Sequence, residues 1–173
     1  LSSSSAASDV YKRQVKREIS GIARSLRQTY LATEGNEKFV MKGDNLYKGN
    51  TMLSGNYKLV DQLKNEQEVE VSLFFGDVRE VTTLKDESGK REINTKMSSE
   101  VYDTLKKGEE YFATNVDVLG TDYYGYYVPL YQPGTKEFAG SVFCGRTQNQ
   151  VTQSLRNTII SVSYTHLRAH ETD

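Results

Sequence analysis

From Val15 to about Thr33, apolar residues recur at intervals of three and four: Ile19, Ile22, Ala23, Leu26 and Tyr30. That spacing predicts one apolar stripe on an amphipathic helix of about five turns, with Lys16, Arg17, Glu18, Arg24, Arg27 and Gln28 on the other side. Gly35 sits where a C-terminal cap belongs. Residues 37–56 are interrupted by Gly43, Gly49 and Gly55 and predict a loop with one short turn at most. Tyr57 to Leu63 (YKLVDQL) predicts a second, shorter helix.

Beyond it the period changes to two. Val69, Val71, Leu73 and Phe75 alternate with Glu70, Ser72 and Phe74, the pattern of a strand with one buried face. Val78 to Lys85 predicts a second strand, DESGK at 86–90 a turn with Gly89 at positive φ, and Arg91 to Thr95 a short extended piece. Ser98 or Ser99 caps a helix over Glu100 to Lys107, which Gly108 stops. Strands follow over residues 110–119, 123–131 and 138–145, with Pro133 and Gly134 turning the second hairpin. Gln148 to Val162 predicts a closing helix. The sum is an α+β domain: a long N-terminal helix packed on an antiparallel sheet of five to six strands, then a C-terminal helix.

Composition narrows the chemistry. Of 173 residues, 22 are Lys or Arg and 23 Asp or Glu, a net charge of −1, so no overall field favours nucleic acid. Hydrophobic residues reach only 36 %, twelve tyrosines included, so part of the core must be amphipathic. No apolar run is long enough to cross a bilayer, which takes about 20 residues. The single cysteine, Cys144, excludes an internal disulfide framework and a four-cysteine zinc site. Both histidines, His166 and His170, lie in the last eight residues, so the body of the domain has no imidazole for catalysis. No phosphate loop, GxGxxG turn or GxSxG elbow is present, and the pairs Asp86-Glu87 and Glu109-Glu110 read as solvated turn and strand ends. The sequence therefore predicts neither an enzyme nor a metal or cofactor site.

Two segments carry binding chemistry. In TDYYGYYVPLY, alternation sets Tyr123, Gly125, Tyr127, Pro129 and Tyr131 on one face and Tyr124, Tyr126, Val128 and Leu130 on the other. Tyrosine combines apolar bulk with a hydroxyl, which suits the wall of a small polar pocket, and Gly125 leaves space beside the rings. Pro129 lacks an amide proton, so the strand is irregular or unpaired there. In the REVTT segment Arg79 stands near threonines, and Asn94, Thr95 and Lys96 follow; a guanidinium or ammonium among hydroxyls holds a carboxylate by charge-assisted hydrogen bonds.

The termini differ from the middle. LSSSSAASDVYKRQ at 1–14 and SYTHLRAHETD at 163–173 carry no period that continues into their neighbours. Both resemble peptides translated from sequencing-library adapters and are expected to be non-native tails.

The run FFGDVREVTTLKDESGKREINTKMSSEVYDTLKKGEEYFATNVDVLGTDYYGYYVPL, with the closing FAGSVFCGR, resembles the single Cache sensor domains of bacterial methyl-accepting chemotaxis receptors. TTLKDESGKR, GEEYF and YYGYYVPL stand in the family's order, and the flanking helices extend the likeness over residues 15–162. The resemblance implies a PAS-like fold with a ligand cavity on one face of the sheet. It also implies a place outside the membrane between two transmembrane helices, an amino acid or organic acid as ligand, and a signal carried by the terminal helices. Homodimerisation through the long first helix is implied too. No family ligand motif carries over complete, so the site rests on the residues themselves. The candidates are Arg79 or Lys96 for an anionic group, Thr83 and Thr95 to orient it, and Tyr111, Tyr124, Tyr126 and Phe143 as walls. The same domain on a histidine kinase or cyclic-dinucleotide enzyme stays open, as does an adhesion module without a pocket.

Overall fold

The computed structural model describes residues 3–149 together with 161–163, 165 and 168. Helix α1 spans Ser3–Ala32, a small antiparallel sheet follows in β1 (Phe39–Lys42), β2 (Asn45–Lys48) and β3 (Thr51–Met52), and α2 covers Lys58–Gln67. The main sheet is built from β4 (Glu70–Phe75), β5 (Val78–Thr82), β6 (Tyr111–Val118), β7 (Thr121–Tyr131) and β8 (Phe138–Thr147), with α3 (Ser99–Lys106) between β5 and β6. Its order is β5-β4-β8-β7-β6, antiparallel throughout. The expected closing helix over 148–162 falls mostly outside the described residues, and none of the described helices is long and apolar enough to cross a membrane.

The apolar stripe does what its spacing requires. Val15, Ile19, Ala23, Leu26 and Tyr30 are buried in one core with Val71, Leu73, Val81, Tyr126, Val128, Leu130, Val142 and Cys144, so α1 lies across one face of the sheet. Helix α1 begins at Ser3, not Val15, so residues 3–14 are helical where no helical period was expected. Once the stripe fixes the later turns, extension backward through Ala6, Ala7, Lys12 and Arg13 adds one hydrogen bond per residue without a new nucleus.

Polar contacts fasten the same face. Arg24 donates to Glu110 at 2.5 and 3.1 Å, and the Tyr126 hydroxyl donates to that carboxylate at 2.6 Å. Arg27 donates to the Pro129 carbonyl at 3.0 Å, and Arg146 pairs with Glu18. Pro129 stands opposite Ser141 of β8 but beyond the start of β6, which begins opposite Tyr127, so β7 is unpaired there on one side as its missing amide proton requires. The Arg24 guanidinium holds the Glu110 carboxyl below its usual range, and the Tyr126 hydroxyl adds to that against the opposing cost of burial. A carboxylate depressed in the folded state stabilises at neutral pH, and the gain fades as pH falls through the folded value. Because Arg24 is half exposed, Glu110→Ala should cost no more than about 1 kcal/mol at pH 7. Urea titrations of wild type and variant should diverge above the ordinary carboxylate range and converge only once pH falls below the depressed folded-state value, where the carboxyl is protonated in both folded and unfolded wild type.

Residues 37–56, expected as a loop, form the small sheet instead. Its strands hold four, four and two residues, too few to show a period between their glycine turns. Lys48 anchors it: its ammonium is buried and donates to the carbonyls of Leu31 (3.0 Å), Thr33 and Gly35 (2.5 Å) at the end of α1. The Leu31 carbonyl is one a helix C-terminus leaves without a partner, Thr33 and Gly35 belong to the turn that follows, and a cation there also complements the helix dipole. Arg91 to Thr95 forms no strand of its own; the isolated bridges Val78–Lys96 and Lys85–Arg91 and a few backbone hydrogen bonds to Arg79 and Leu84 tie this region to β5 and its exit. The remaining elements agree with their spacing. Ser98 caps α3 by accepting from the Val101 amide, and the DESGK turn closes between the Asp86 amide and the Lys90 carbonyl with Gly89 at φ +85°.

Candidate ligand site

The face of the sheet away from α1 carries a second cluster: Phe74, Tyr127 and Phe143 from the strands, packed with Met97 and with Val101 and Leu105 of α3. The register explains its membership. Ser72 pairs with Phe143 and Phe143 with Tyr127, so these residues and Phe74 share one face, while their chain neighbours Leu73, Val142 and Tyr126 turn to α1. Residues 92–98 and the start of α3 fold over this face. The Arg79 amide donates to the Thr95 carbonyl (2.8 Å), the Asn94 amide to the Arg79 carbonyl (2.7 Å) and the Met97 amide to the Asp77 carbonyl (3.0 Å).

Between that loop and the sheet lies a cavity of about 460 Å³, lined by Arg79, Thr95, Lys96, Tyr111, Tyr127 and the rim carboxylates Glu92, Glu100 and Asp117, among others. Arg79 is its most informative residue. It is 7 % exposed, and its guanidinium lies 4.7 Å above the Phe74 ring and 6.0 Å from that of Phe143. Nε donates to Ser72 Oγ at 3.1 Å and Nη1 to Thr95 Oγ1 at 2.6 Å. Burial draws its pKa down from the usual value, partly countered by the nearby Tyr127 and Glu92. A guanidinium nevertheless remains protonated. Among the described residues no carboxylate forms an ion pair with it. A buried cation held by two hydroxyls and two ring faces still has donor capacity, and the cavity is where that capacity points. Lys96 is exposed at the mouth. Tyr111 stands beside Glu100, and burial with that carboxylate raises its hydroxyl pKa; burial does the same for Tyr127.

Of the residues expected from sequence, the structure gathers Arg79, Thr95, Lys96 and Tyr111 around this cavity; Phe143 does not line it but lies in the packed cluster behind, its ring 6.0 Å from the Arg79 guanidinium. The structure does not bring the others there. Tyr124 and Tyr126 lie on the opposite face among the α1 contacts, where Tyr126 is held by Glu110 and Arg24. The two faces of β7 alternate as the sequence predicts, but the cavity wall comes from the other set, through Tyr127. Val128 and Leu130 share the Tyr126 face, and that apolar pair was the signal that this side belonged to the helix. Thr83 is also elsewhere: its hydroxyl donates to Glu70 (2.5 Å) and accepts from the Val71 amide (3.0 Å). The space beside Gly125 is filled rather than open, because the Phe143 ring lies where a Cβ at either Gly125 or Gly145 would stand, at 2.7 and 2.6 Å.

No group of three or more His, Cys, Asp or Glu side chains among the described residues is arranged to hold a metal ion. A fixed cation among hydroxyls and aromatic walls is an arrangement suited to holding a small anionic group out of water.

Comparison with known proteins agrees with this architecture. No curated protein matches the chain. Among solved structures, the crystal structure of the E. coli DcuS sensor domain is similar at a TM-score of 0.59 and 16 % sequence identity, covering 85 % of this chain and 98 % of that one. At that identity the likeness speaks for the fold. Residues 51–158, more than half of the sequence, match the family model described as single Cache domain 3. The chain belongs to the single Cache domain 3 family.

Proposed function

We propose that this chain is the extracytoplasmic sensor domain of a bacterial membrane receptor and binds a small carboxylate, an amino acid or an organic acid, in the cavity between loop 92–98 and the sheet. The observation that carries it is Arg79: a nearly fully buried guanidinium, without a carboxylate partner among the described residues, facing a cavity sized for a small molecule. The rim of Glu92, Glu100 and Asp117 favours a ligand with an ammonium beside its carboxylate. The likeness of residues 71–146 to the Cache domains of methyl-accepting receptors supports chemotaxis as the output; a histidine kinase fits the same fold equally well. Pairing of two copies through α1 would have to use its polar face, because the apolar stripe is consumed by the sheet.

A thermal-shift screen of the chain against amino acids, dicarboxylates and purines tests the reading. A carboxylate ligand should raise Tm with concentration by mass action, by about 2.7 kcal/mol of stability at a hundred times its Kd. Uncharged purines should leave Tm unchanged. Shifts by purines with none from any carboxylate would refute the assignment of Arg79.

A further inference from the structure

On β5, Arg79 and Glu80 are consecutive, and they look into different hollows. Glu80 lines a separate space of about 630 Å³ on the other side of loop residues Ile93 and Asn94, where β5 meets the β1–β2 turn and the link into α2. Glu80 is 8 % exposed, and among the described residues its carboxylate has neither a hydrogen bond nor an ion pair. Burial raises its pKa, and the Asp44 carboxylate across the hollow raises it further. No Lys or Arg lines this space. Arg91, which stacks 3.8 Å over the ring of the lining residue Tyr57, is committed to Asp61 at 2.7 and 2.8 Å.

Glu80 is a largely buried side chain whose carboxylate oxygens stay accessible from the hollow, and a carboxylate so placed without a counter-charge from the protein attracts a cation. Here two carboxylates converge on a space that also presents the side-chain amides of Asn45 and Asn94. The rest of the wall is apolar, from Met41, Tyr57 and Ile93. Those properties separate two kinds of cation. A hard cation such as calcium takes a shell of six or more oxygens, and no trio of metal-ligating side chains stands here among the described residues. An alkylammonium fits better: its charged head takes carboxylate and amide oxygens, its methylenes lie along Met41 and Ile93, and its size matches the hollow.

We infer that this hollow is a second ligand site, distinct from the Arg79 cavity, which binds a small organic amine between Glu80 and Asp44. The site does not depend on the carboxylate reading of the first cavity, since the two share no lining residue.

The probe is 1,4-diaminobutane, added to the whole chain in a thermal-shift titration at constant ionic strength, with sodium chloride and calcium chloride as parallel arms. The expected result is a concentration-dependent rise in Tm with the diamine alone. Asp44→Asn, at an exposed position, and Glu80→Gln, which removes an unpaired buried charge, should each weaken the apparent affinity by about tenfold or more, the loss of a hydrogen bond to a charged group. Arg79→Met should leave the diamine response intact. The site is refuted if the diamine produces no rise, if both variants respond as wild type does, or if calcium alone produces the rise. Loss of the response in Arg79→Met with full retention in Asp44→Asn would place the amine in the other cavity and also refute it. Should Glu80→Gln fail to fold, Asp44→Asn decides alone.

Discussion

Arg79→Met is expected to abolish the response to the carboxylate that binds beneath loop 92–98 while leaving the domain folded. Truncating one member of a buried charge pair costs about 2–5 kcal/mol of binding, which is roughly thirtyfold to several thousandfold in Kd. The free domain should tolerate the change, because methionine keeps the apolar stem over Phe74 and Phe143 and removes a charge that no carboxylate of the sheet neutralises. Ser72 and Thr95 lose one donor each but keep other partners: Ser72 faces the Thr82 hydroxyl at 2.8 Å, and Thr95 donates to the Glu92 carbonyl at 3.1 Å. Calorimetric titration with the ligand found by thermal shift, beside a urea melt, separates the two effects. A variant that is folded and binds as wild type does would show that the anion sits elsewhere.

The largest expected loss of stability comes from a methyl group at Gly140. Strands β4 and β8 approach so closely there that a Cβ would lie 1.9 Å from the Phe74 carbonyl oxygen and 3.1 Å from the Phe75 Cα, both backbone atoms of the central pair. No side-chain rotation relieves that overlap, so Gly140→Ala must spread the ladder on which both cores are built. A cost of about 3 kcal/mol or more follows, a large share of the roughly 5–15 kcal/mol of a typical domain. Gly21→Ala is the control: it lies inside α1, exposed, with nothing within 4 Å of the new Cβ, and should gain about 0.5–1 kcal/mol. Urea midpoints measure both. A Gly140→Ala variant within about 1 kcal/mol of wild type would mean that the strands part more easily than their packing implies.

How much of this was legible in the sequence depends on the length of each signal. The α1 stripe repeats over five buried positions and needed no tertiary information. The three strands of the last meander, β6 to β8, were legible for the same reason, since each runs for eight or more residues. The small sheet was not, because strands of four and two residues are held by what they dock on, notably Lys48 reaching the end of α1. In the site, Arg79 with Thr95 was legible as a cation beside a hydroxyl, and their closeness across sixteen positions comes from one backbone bond. Which tyrosine face lines the cavity was not, because two faces of alternating rings look alike until the helix claims one. Glu80 carries no signal in the sequence that sets it apart from other strand charges; the fold alone shows that β5 turns it into a hollow, next to a residue serving the other one.

Cys144 lies fully buried on the helix side of the sheet, with its thiol pKa pushed up by that burial. As the sole cysteine of the chain it is a built-in clock for breathing between α1 and the strands. Any alkylating reagent that reaches its sulfur must wait for the rod to lift, so the labelling rate counts those liftings without an added probe.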